Sequence, residues 1–211
     1  MLELKIIIGS TRPGRAAELV VPGITARAGG HGAFRTEMLD LRDWELPIFA
    51  ENFETLGDLH DPTFSAPIIR RWNGVIGSAD AFLFVTPEYN HSLPGVLKNA
   101  IDSVFATFGF RNKPCVTAAY SGGPTGGARA VEHLALVAIE AEMVPLRNNV
   151  LIPNIASAFG DDGSPRDPRT EMATSIALDD LAWWGETLRA ARSAGQLPPA
   201  MARLMAATGH E

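Results

Sequence analysis

A short loop rich in glycine, hydroxyl and arginine side chains follows the first apolar segment of the chain. It reads Gly9-Ser10-Thr11-Arg12-Pro13-Gly14-Arg15, and we call it the first loop. Backbone amides at the start of a helix favour an anion, and serine and arginine side chains add further donors. The loop lacks the GxxxxGK[ST] of a P-loop and the GxGxxG of a dinucleotide fingerprint. It therefore predicts a site for a single phosphate, with a solvated turn as the alternative.

Two later segments also carry residues that are unusual for plain connections. Pro87-Glu88-Tyr89-Asn90, the second loop, would present backbone amides and one aromatic ring to a planar ligand. Ser121-Gly122-Gly123-Pro124-Thr125-Gly126-Gly127, the third loop, has four glycines in seven residues, which lets a backbone approach a ligand closely. Turn and cap residues before a helix are the alternative for the second loop, and a structural turn is the alternative for the third.

The periodicity around these loops alternates between strands and helices. Strands are predicted over residues 4–8, 34–41, 81–86, 115–120 and 145–151, and helices over 15–28, 67–78, 93–105, 128–143 and 171–194. Pro22 predicts a kink or a split in the first helix, and residues 43–67 show no clear periodicity. Alternating strands and helices imply a parallel sheet covered on both faces. The predicted fold is α/β, with a doubly wound five-stranded sheet in three α/β/α layers.

We expect a single domain over residues 1–211, with a C-terminal helical extension from about residue 171. In doubly wound sheets, ligands bind beyond the carboxyl ends of the strands, near the point where the strand order reverses. The three loops follow the first, third and fourth predicted strands. They should therefore converge on one place, and this convergence predicts a bound mononucleotide.

Composition and charge narrow the class of protein. Lysine plus arginine number 18 against 24 aspartate plus glutamate, for a net charge of −6 without a basic cluster, so nucleic-acid binding is disfavoured. The sequence contains neither a run of ~20 apolar residues nor a signal-peptide pattern, and we expect a cytoplasmic protein that does not bind membranes. The single cysteine, Cys115, lies in an apolar run and is predicted to be a buried thiol. No Cys/His pattern predicts a metal site.

The sequence resembles the NADPH-dependent FMN reductase family, a flavodoxin-like group that includes quinone, azo-dye and chromate reductases. The resemblance covers residues 1 to about 150. It rests on the first loop, on the second loop with Pro94-Gly95-Leu97-Lys98-Asn99-Ala100-Asp102 after it, and on Ser121-Gly122-Gly123 with Gly126-Gly127. It implies FMN as the cofactor and NADPH or NADH as the electron donor.

The resemblance also implies which residues hold the cofactor. Ser10, Arg12, Arg15 and Ala16 would bind the FMN phosphate; Pro87, Glu88, Tyr89 and Asn90 would line the isoalloxazine ring and the ribityl chain; Ser121, Gly122 and Gly123 would border the other side of the ring. Many family members carry serine and asparagine where this sequence has Arg15 and Ala17. We expect Arg15 to replace the hydrogen bonds that this departure removes.

The implied function is an FMN-dependent NAD(P)H oxidoreductase that passes electrons to a small acceptor: a quinone, an azo compound, a metal oxyanion or free flavin. The expected kinetic order is ping-pong, with both substrates using the same flavin face. Because the flavin carries the chemistry, no catalytic side chain is assigned, and His91 is predicted to face solvent.

Two alternatives remain at this point, a flavodoxin-type electron carrier and a non-enzymatic flavin-binding or regulatory protein. A carrier would be expected to show a Ser/Thr-rich phosphate loop and a strongly acidic surface. The family is usually dimeric or tetrameric, so we expect a homodimer or homotetramer. The loop from Trp44 to Phe53 and the helix from Leu93 to Phe105 are the predicted contacts.

Overall fold

A parallel sheet forms the centre of the computed structural model, which describes residues 1–58 and 61–208. The strands are β1 (Leu2–Ile8), β2 (Phe34–Asp40), β3 (Ala81–Pro87), β4 (Pro114–Tyr120), β5 (Val144–Pro145) and β6 (Val150–Ile152). The order is β2-β1-β3-β4-β5, with β6 also paired to β4, and every pairing is parallel. This is the flavodoxin-like order, with its reversal between β1 and β3. The predicted fold class is confirmed.

Helices cover both faces of the sheet. They are α1 (Ala17–Gly30), α2 (Leu41–Trp44), α3 (Phe53–Leu56), α4 (Pro67–Gly77), α5 (Gly95–Asp102), α6 (Ala128–Glu140), α7 (Pro168–Ala194) and α8 (Ala200–Thr208), with a 3₁₀ turn at Ile155–Ser157. Alternate residues of each strand point to opposite faces. Ile6 and Ile8 accordingly pack with α1 and α7, whereas Ile7 packs with α4, α5 and α6. Two cores therefore lie on either side of the sheet: the first core is on the side of α1 and α7, and the second core is on the side of α4, α5 and α6.

The first helix is not split at Pro22, contrary to one of the two outcomes that its sequence predicted. One helix runs from Ala17 to Gly30 with Pro22 inside it and exposed. Val20, Ile24 and Ala28 are buried one turn apart on the face toward the sheet. A proline inside a helix costs about 3 kcal/mol, but burying two aliphatic side chains contributes about 1.5–3 kcal/mol each. Packing on the sheet therefore preserves the helix.

The fifth strand is interrupted, which corrects the continuous strand predicted over residues 145–151. Leu146 donates its amide to the carbonyl of Cys115, after which the chain leaves the ladder. Asn149 fills the gap: its Oδ1 accepts from the amide of Thr117 at 2.7 Å, where a backbone carbonyl would otherwise accept. A side chain can replace one rung of a ladder because buried amides need a partner from any source.

The segment without clear periodicity, residues 43–67, contains local structure. Residues 59 and 60 of it lie outside the described residues. Helix α3 starts with a reciprocal cap, in which Asn52 accepts from the amide of Thr55 and Thr55 accepts from the amide of Asn52. Trp44 is 8% exposed and packs edge-on to Trp72, whereas Phe53 is 51% exposed. The segment thus covers the core at one end and presents an aromatic surface at the other.

Two further findings bear on the sequence predictions. Cys115 is buried in the second core, as predicted, and burial raises the pKa of its thiol to about 12. None of the helices in residues 1–58 and 61–208 combines the length and the hydrophobicity that a bilayer crossing requires.

Candidate cofactor-binding site

The three loops lie side by side at the carboxyl ends of three neighbouring strands. Backbone hydrogen bonds fix their starts to the adjacent strand. Gly9 donates to the carbonyl of Val85 at 2.8 Å, and Glu88 donates to that of Tyr120 at 2.9 Å. Ser121 donates to the carbonyl of Ile152 at 3.2 Å. Since β1, β3 and β4 are consecutive in the sheet, the loops meet at the edge where doubly wound sheets bind ligands.

In the first loop, Arg15 is buried and holds the loop together. Its Nη1 donates to Asp40 Oδ1 and to the carbonyl of Ser10, both at 2.6 Å. Its Nη2 donates to the other carboxylate oxygen of Asp40, and its Nε donates to Glu18 at 3.0 Å. A guanidinium has five N–H donors, so four of them already have acceptors in these contacts.

Arg15 and Asp40 each stabilise the charged form of the other. The hydrogen bond to Asp40 raises the pKa of Arg15, and this effect exceeds the opposing effect of burial. Burial acts to raise the pKa of Asp40, but hydrogen bonds from Arg15 and from the amide of Arg42 leave it below its ordinary value. Asp40 is therefore a structural carboxylate at neutral pH, and not a proton carrier.

Arg12 has a different environment from Arg15. It is exposed and forms no ion pair with any residue in the described part of the chain. Its guanidinium carbon lies 5.3 Å from the ring centre of Tyr89, and its carbonyl accepts from Arg42 Nη2 at 2.6 Å. The loop backbone is thus fixed while the charged end of Arg12 remains available for an anion.

The start of helix α1 lies next to this free cation. Ala16 occupies the cap position and provides no capping side chain. The first turn of a helix has amides without intrahelical acceptors, and these amides carry a partial positive charge. In α1 the amides of Glu18 and Leu19 already donate to the carbonyls of Arg15 and Ala16, so an anion beside Arg12 would have the amides before Glu18 as backbone donors.

The second loop continues into a tight turn. Tyr89 and Ser92 exchange backbone hydrogen bonds at 2.9 and 3.0 Å, and the two residues between them, Asn90 and His91, have φ values of 49° and 67°. Two left-handed residues in succession define a type I′ turn. Such backbone is unfavourable for residues other than glycine and clusters at functional sites. His91 is exposed, as predicted.

The carboxylate of Glu88 links the second loop to helix α6. Glu88 accepts from Arg129 Nη1 at 2.8 Å and from the amide of Arg129 at 3.2 Å, and its side chain is 7% exposed. Burial acts to raise the pKa of Glu88, but the hydrogen bonds from Arg129 outweigh it and keep the pKa below its ordinary value. The carboxylate of Glu88 is therefore engaged within the protein, as is its amide, which donates to the carbonyl of Tyr120.

The glycines of the third loop form two pairs with different surroundings. A Cβ on Gly127, whose φ is 89°, would lie 2.6 Å from Ala119 Cβ, and one on Gly126 would lie 3.1 Å from the amide of Ile152. A Cβ on Gly122 or Gly123 would have no atom within 4 Å. Gly126 and Gly127 therefore permit close packing on the sheet, whereas Gly122 and Gly123 border open space.

One buried polar atom at the site has no partner. The hydroxyl of Tyr120, the last residue of β4, is buried and makes no hydrogen bond of normal geometry with any described residue. Burial raises the pKa of Tyr120 well above its ordinary value, and Tyr89 raises it further. Ser10 and the amide of Ala17 act to lower the same pKa, but the effect of burial is larger.

The structure brings all of the predicted residues to one edge of the sheet. They are Ser10, Arg12, Arg15, Ala16, Pro87, Glu88, Tyr89, Asn90, Ser121, Gly122 and Gly123. Sequence reasoning missed Asp40, Tyr120 and Arg129. The strand-end positions of Asp40 and Tyr120 were an available signal, because polar residues at the carboxyl ends of parallel strands face the ligand edge. Arg129 gave no signal, since it looks like any helix-surface arginine.

These features fit a flavin mononucleotide. Arg12 and the start of α1, which has no side-chain cap, suit a phosphate, and no other residue crowds Gly122 and Gly123 in the third loop. The shifted carboxyl groups, Asp40 and Glu88, are both stabilised in the charged form. The site can thus bind and orient a redox cofactor without requiring an acid or a base from the protein.

Comparison with known proteins agrees with this geometry. The NADPH-dependent FMN reductase family matches residues 2–157 of the chain. An NAD(P)H-dependent FMN reductase of Pseudomonas aeruginosa is 35% identical over 147 residues, which are 68% of this chain and 76% of that protein. A quinone reductase of Pseudomonas putida is 32% identical over 151 residues, 69% of this chain and 76% of that protein.

Solved structures extend the similarity of fold further along the chain. The flavoenzyme NAD(P)H:(acceptor) oxidoreductase FerB of Paracoccus denitrificans superposes with a TM-score of 0.71 at 23% identity. The match covers 89% of this chain and 98% of FerB. The protein is therefore an oxidoreductase that uses FMN and NAD(P)H to reduce a small acceptor, and its chain belongs to the NADPH-dependent FMN reductase family.

Proposed function

We propose that the first loop binds the FMN phosphate through Arg12 and the start of α1. The observation that carries this assignment is the exposed Arg12 guanidinium, which lacks an ion pair within the described residues and lies beside an uncapped helix start. Arg15, which the sequence resemblance assigned to the phosphate, has most of its donors engaged by Asp40, Glu18 and Ser10. We infer that its main role is to hold the loop in shape.

The experiment that tests this assignment compares two exposed cations. Arg12→Ala should weaken FMN binding about ten- to hundredfold, the amount expected for a hydrogen bond to a charged group. Lys98→Ala is the matched control, because Lys98 pairs with Asp102 on α5 at 2.6 Å. Retention of FMN through gel filtration and a fluorescence titration would both report the difference. Equal affinity in the two variants would contradict the phosphate assignment.

We propose further that the second and third loops border the ring. Support comes from the type I′ turn at Tyr89–Ser92, which holds the second-loop backbone in a defined shape, and from the open space beside Gly122 and Gly123. When bound, FMN supplies the redox chemistry, accepting electrons from NAD(P)H and passing them to the acceptor. The protein's part is to orient the ring and to stabilise negative charge through backbone amides.

The acceptor class that we propose is a quinone or a similarly small, planar compound. The quinone reductase of Pseudomonas putida supports this choice. The assay is oxidation of NADH and of NADPH by the FMN-loaded protein with a quinone, an azo dye, chromate or free flavin. A yellow protein that neither nucleotide reduces would favour an electron carrier instead.

We propose a homodimer or homotetramer that uses the surface between α5 and α6. A groove of about 590 Å³ lies there, bordered by Phe53 and Phe105, and exposed Leu136 and Ile139 lie on α6 nearby. Apolar patches of this kind mark subunit contacts when a second copy covers them. Light scattering should give a mass of at least two chains, and Leu136→Glu should lower it. A monomeric wild-type protein would contradict the proposal.

Two broader assignments are also proposals. We infer that the helices after residue 167 belong to the same domain as the sheet, because Leu178 and Leu181 of α7 are buried in the first core.

We also infer a cytoplasmic location, which the single buried cysteine and the use of NAD(P)H support. Cell fractionation with an antibody against the protein would test the location.

A further inference from the structure

The turn at the end of the second loop has an unfavourable backbone for its sequence. Tyr89 and Ser92 close it with two backbone hydrogen bonds, and Asn90 and His91 between them have φ values of 49° and 67°. The favoured pair for a type I′ turn is Asn-Gly, so His91 stands where glycine suits the backbone best. A hairpin this short is not stable by itself in water. Contacts from outside the turn must therefore help to hold its shape.

Helix α6 provides two such contacts, one on each side of the turn. Arg129 Nη1 donates to Glu88 Oε1 at 2.8 Å, and His133 Nδ1 lies 2.9 Å from Ser92 Oγ, at hydrogen-bond distance. Residues that are four apart in a helix share one face. The same face of α6 therefore holds the residue before the turn and the last residue of the turn.

The contact at Glu88 also involves the backbone of α6. Glu88 Oε2 accepts from the amide of Arg129 at 3.2 Å, in a first turn whose cap residue, Gly127, provides no capping side chain. The carboxylate of Glu88 thus takes the place of a helix cap. The amide of Glu88 donates to the carbonyl of Tyr120 at 2.9 Å. The start of the turn is therefore fixed both to the sheet and to α6, and its end is held through Ser92.

We propose that Arg129 and His133 are positioning residues, which keep Asn90 and His91 in left-handed backbone and thereby set the affinity of the site for the flavin ring. The inference rests on the proposed place of the second loop beside the ring. A loop that already has its ligand-binding shape binds without the entropy cost of becoming ordered. Both residues act through the turn, and the turn contacts the ring.

Lumiflavin tests the inference, because it has the flavin ring but neither the ribityl chain nor the phosphate. Quenching of its fluorescence by the FMN-free protein gives Kd for the ring alone. We expect Arg129→Ala to raise this Kd about tenfold and His133→Ala about threefold, as for loss of a charge-assisted and of a neutral hydrogen bond. Hydrogen exchange at residues 88–92 should become faster in both variants, because the amides of Tyr89 and Ser92 bond across the turn. His133→Asn, which keeps a polar atom near the position of Nδ1, should restore both values.

A second substitution separates an effect through the turn from a general loss of structure. His91→Gly creates the favoured pair for a type I′ turn, so the turn should then need less help from α6. In this background Arg129→Ala and His133→Ala should change the Kd for lumiflavin by less than about twofold. Glu132→Ala is the matched control, because Glu132 is exposed on α6 and forms no ion pair with any described residue. It should leave the Kd and the exchange rates unchanged.

Three results would overturn the inference. The first is wild-type exchange and wild-type Kd for lumiflavin in both α6 variants. The second is an equal effect of Arg129→Ala with and without His91→Gly, because α6 would then not act through the turn. The third is faster exchange at residues 88–92 with an unchanged Kd, which would mean that α6 holds the turn but the second loop does not border the ring. If Arg129→Ala does not fold, His133→Ala decides, because it changes an exposed side chain.

Discussion

The two edges of the sheet use the same kinds of polar side chain but differ in how those side chains are paired. At the amino edge, Lys113 is 6% exposed, and its Nζ donates to the carbonyls of Ile76, Gly77 and Gly109 at 3.1, 2.7 and 2.7 Å. An ammonium has three donors, and all three have acceptors. Lys113 thereby closes the C-terminal end of α4, where carbonyls lack intrahelical partners.

Residues of α7 and of the segment after it also bond to the amino edge of the sheet. Asp80 accepts from Arg192 of α7 at 2.7 Å and from the amide of Glu3 at 3.1 Å. Arg192 also donates to the carbonyl of Asn112 at 2.8 Å. Arg111 binds the carbonyls of Leu197 and Pro198 beyond α7. The ion pairs of the amino edge thus tie the end of the chain to the start of the sheet.

At the carboxyl edge, Arg12 and Arg15 show both behaviours within one loop. Arg15 is buried and paired like Lys113, whereas Arg12 is exposed and forms no ion pair within the described residues. The residue type does not separate a ligand-binding cation from a structural one. What separates them is the number of donors that still lack an acceptor.

Removing the C-terminal helices should have the largest effect, since it opens the amino edge and one core together. A chain ended before Pro168 loses the burial of Leu178 and Leu181, about 1.5–3 kcal/mol each. We expect this truncated protein to be unfolded or insoluble by circular dichroism. A chain ended after Pro199, which lacks α8 but keeps the carbonyls that Arg111 binds, is the control and should fold. Cooperative thermal unfolding of the shorter chain would contradict our assignment of α7 to the same domain.

Arg15→Met should destabilise the protein by about 1–3 kcal/mol, because Asp40, whose side chain is 14% exposed, would keep only the hydrogen bond from the amide of Arg42. Chemical denaturation of the FMN-free protein measures this free energy of unfolding. Arg12→Ala is the contrasting variant and should change it by less than about 0.5 kcal/mol. A similar loss of stability in both variants would remove the distinction between the paired and the unpaired arginine.

The third loop offers the same contrast. Gly127→Ala should cost about 1–3 kcal/mol, because its Cβ would lie 2.6 Å from that of Ala119 and its φ of 89° suits glycine. Gly123→Ala should leave stability within about 0.5 kcal/mol of wild type and weaken FMN binding about tenfold, by placing a methyl in the open space. If Gly123→Ala also unfolds the protein, then Gly122 and Gly123 are structural, like Gly126 and Gly127.

The amino edge should also show a modest dependence of stability on pH. Burial lowers the pKa of Lys113 to about 8 in the folded protein, with a smaller lowering effect from Arg192. The unfolded value is about 10.4, so the unfolded chain binds more protons between these two values. The contribution of Lys113 to the free energy of unfolding should therefore rise between pH 8 and pH 10. Urea denaturation at both pH values, with Lys113→Met as the non-titrating reference, isolates this contribution. If the free energy of unfolding changes equally in wild type and in Lys113→Met between the two pH values, Lys113 makes no such contribution.

The sequence predicted those parts of the fold and site that local patterns determine. Apolar runs located β1, β3 and β4, and the unusual residues after them located the three loops. The type I′ turn was not foreseen, because Asn90 and His91 adopt left-handed backbone without glycine. The sequence left open whether Pro22 would kink or split α1, and the helix is not split, since the local cost of Pro22 is outweighed by contacts with a sheet that a local pattern does not contain.

Contacts between distant residues account for the rest. Arg15 and Asp40 are 25 residues apart and meet only because β1 and β2 are neighbours in the sheet. The same is true of Glu88 and Arg129, which are 41 residues apart. A role for Arg15 at the phosphate was a reasonable expectation for an arginine in a glycine-rich loop. Its engagement by Asp40 depends on strand order, which no single segment encodes.

The burial of Cys115 has a consequence for an enzyme that handles electrophiles. Quinones alkylate cysteine side chains, and the attacking species is the thiolate. Cys115 is the single cysteine of the chain, it is 3% exposed, and its thiol pKa is raised to about 12. At neutral pH the sulfur is therefore both protonated and shielded. We therefore expect no covalent adduct at this sulfur when the protein reduces the quinone acceptor that we propose.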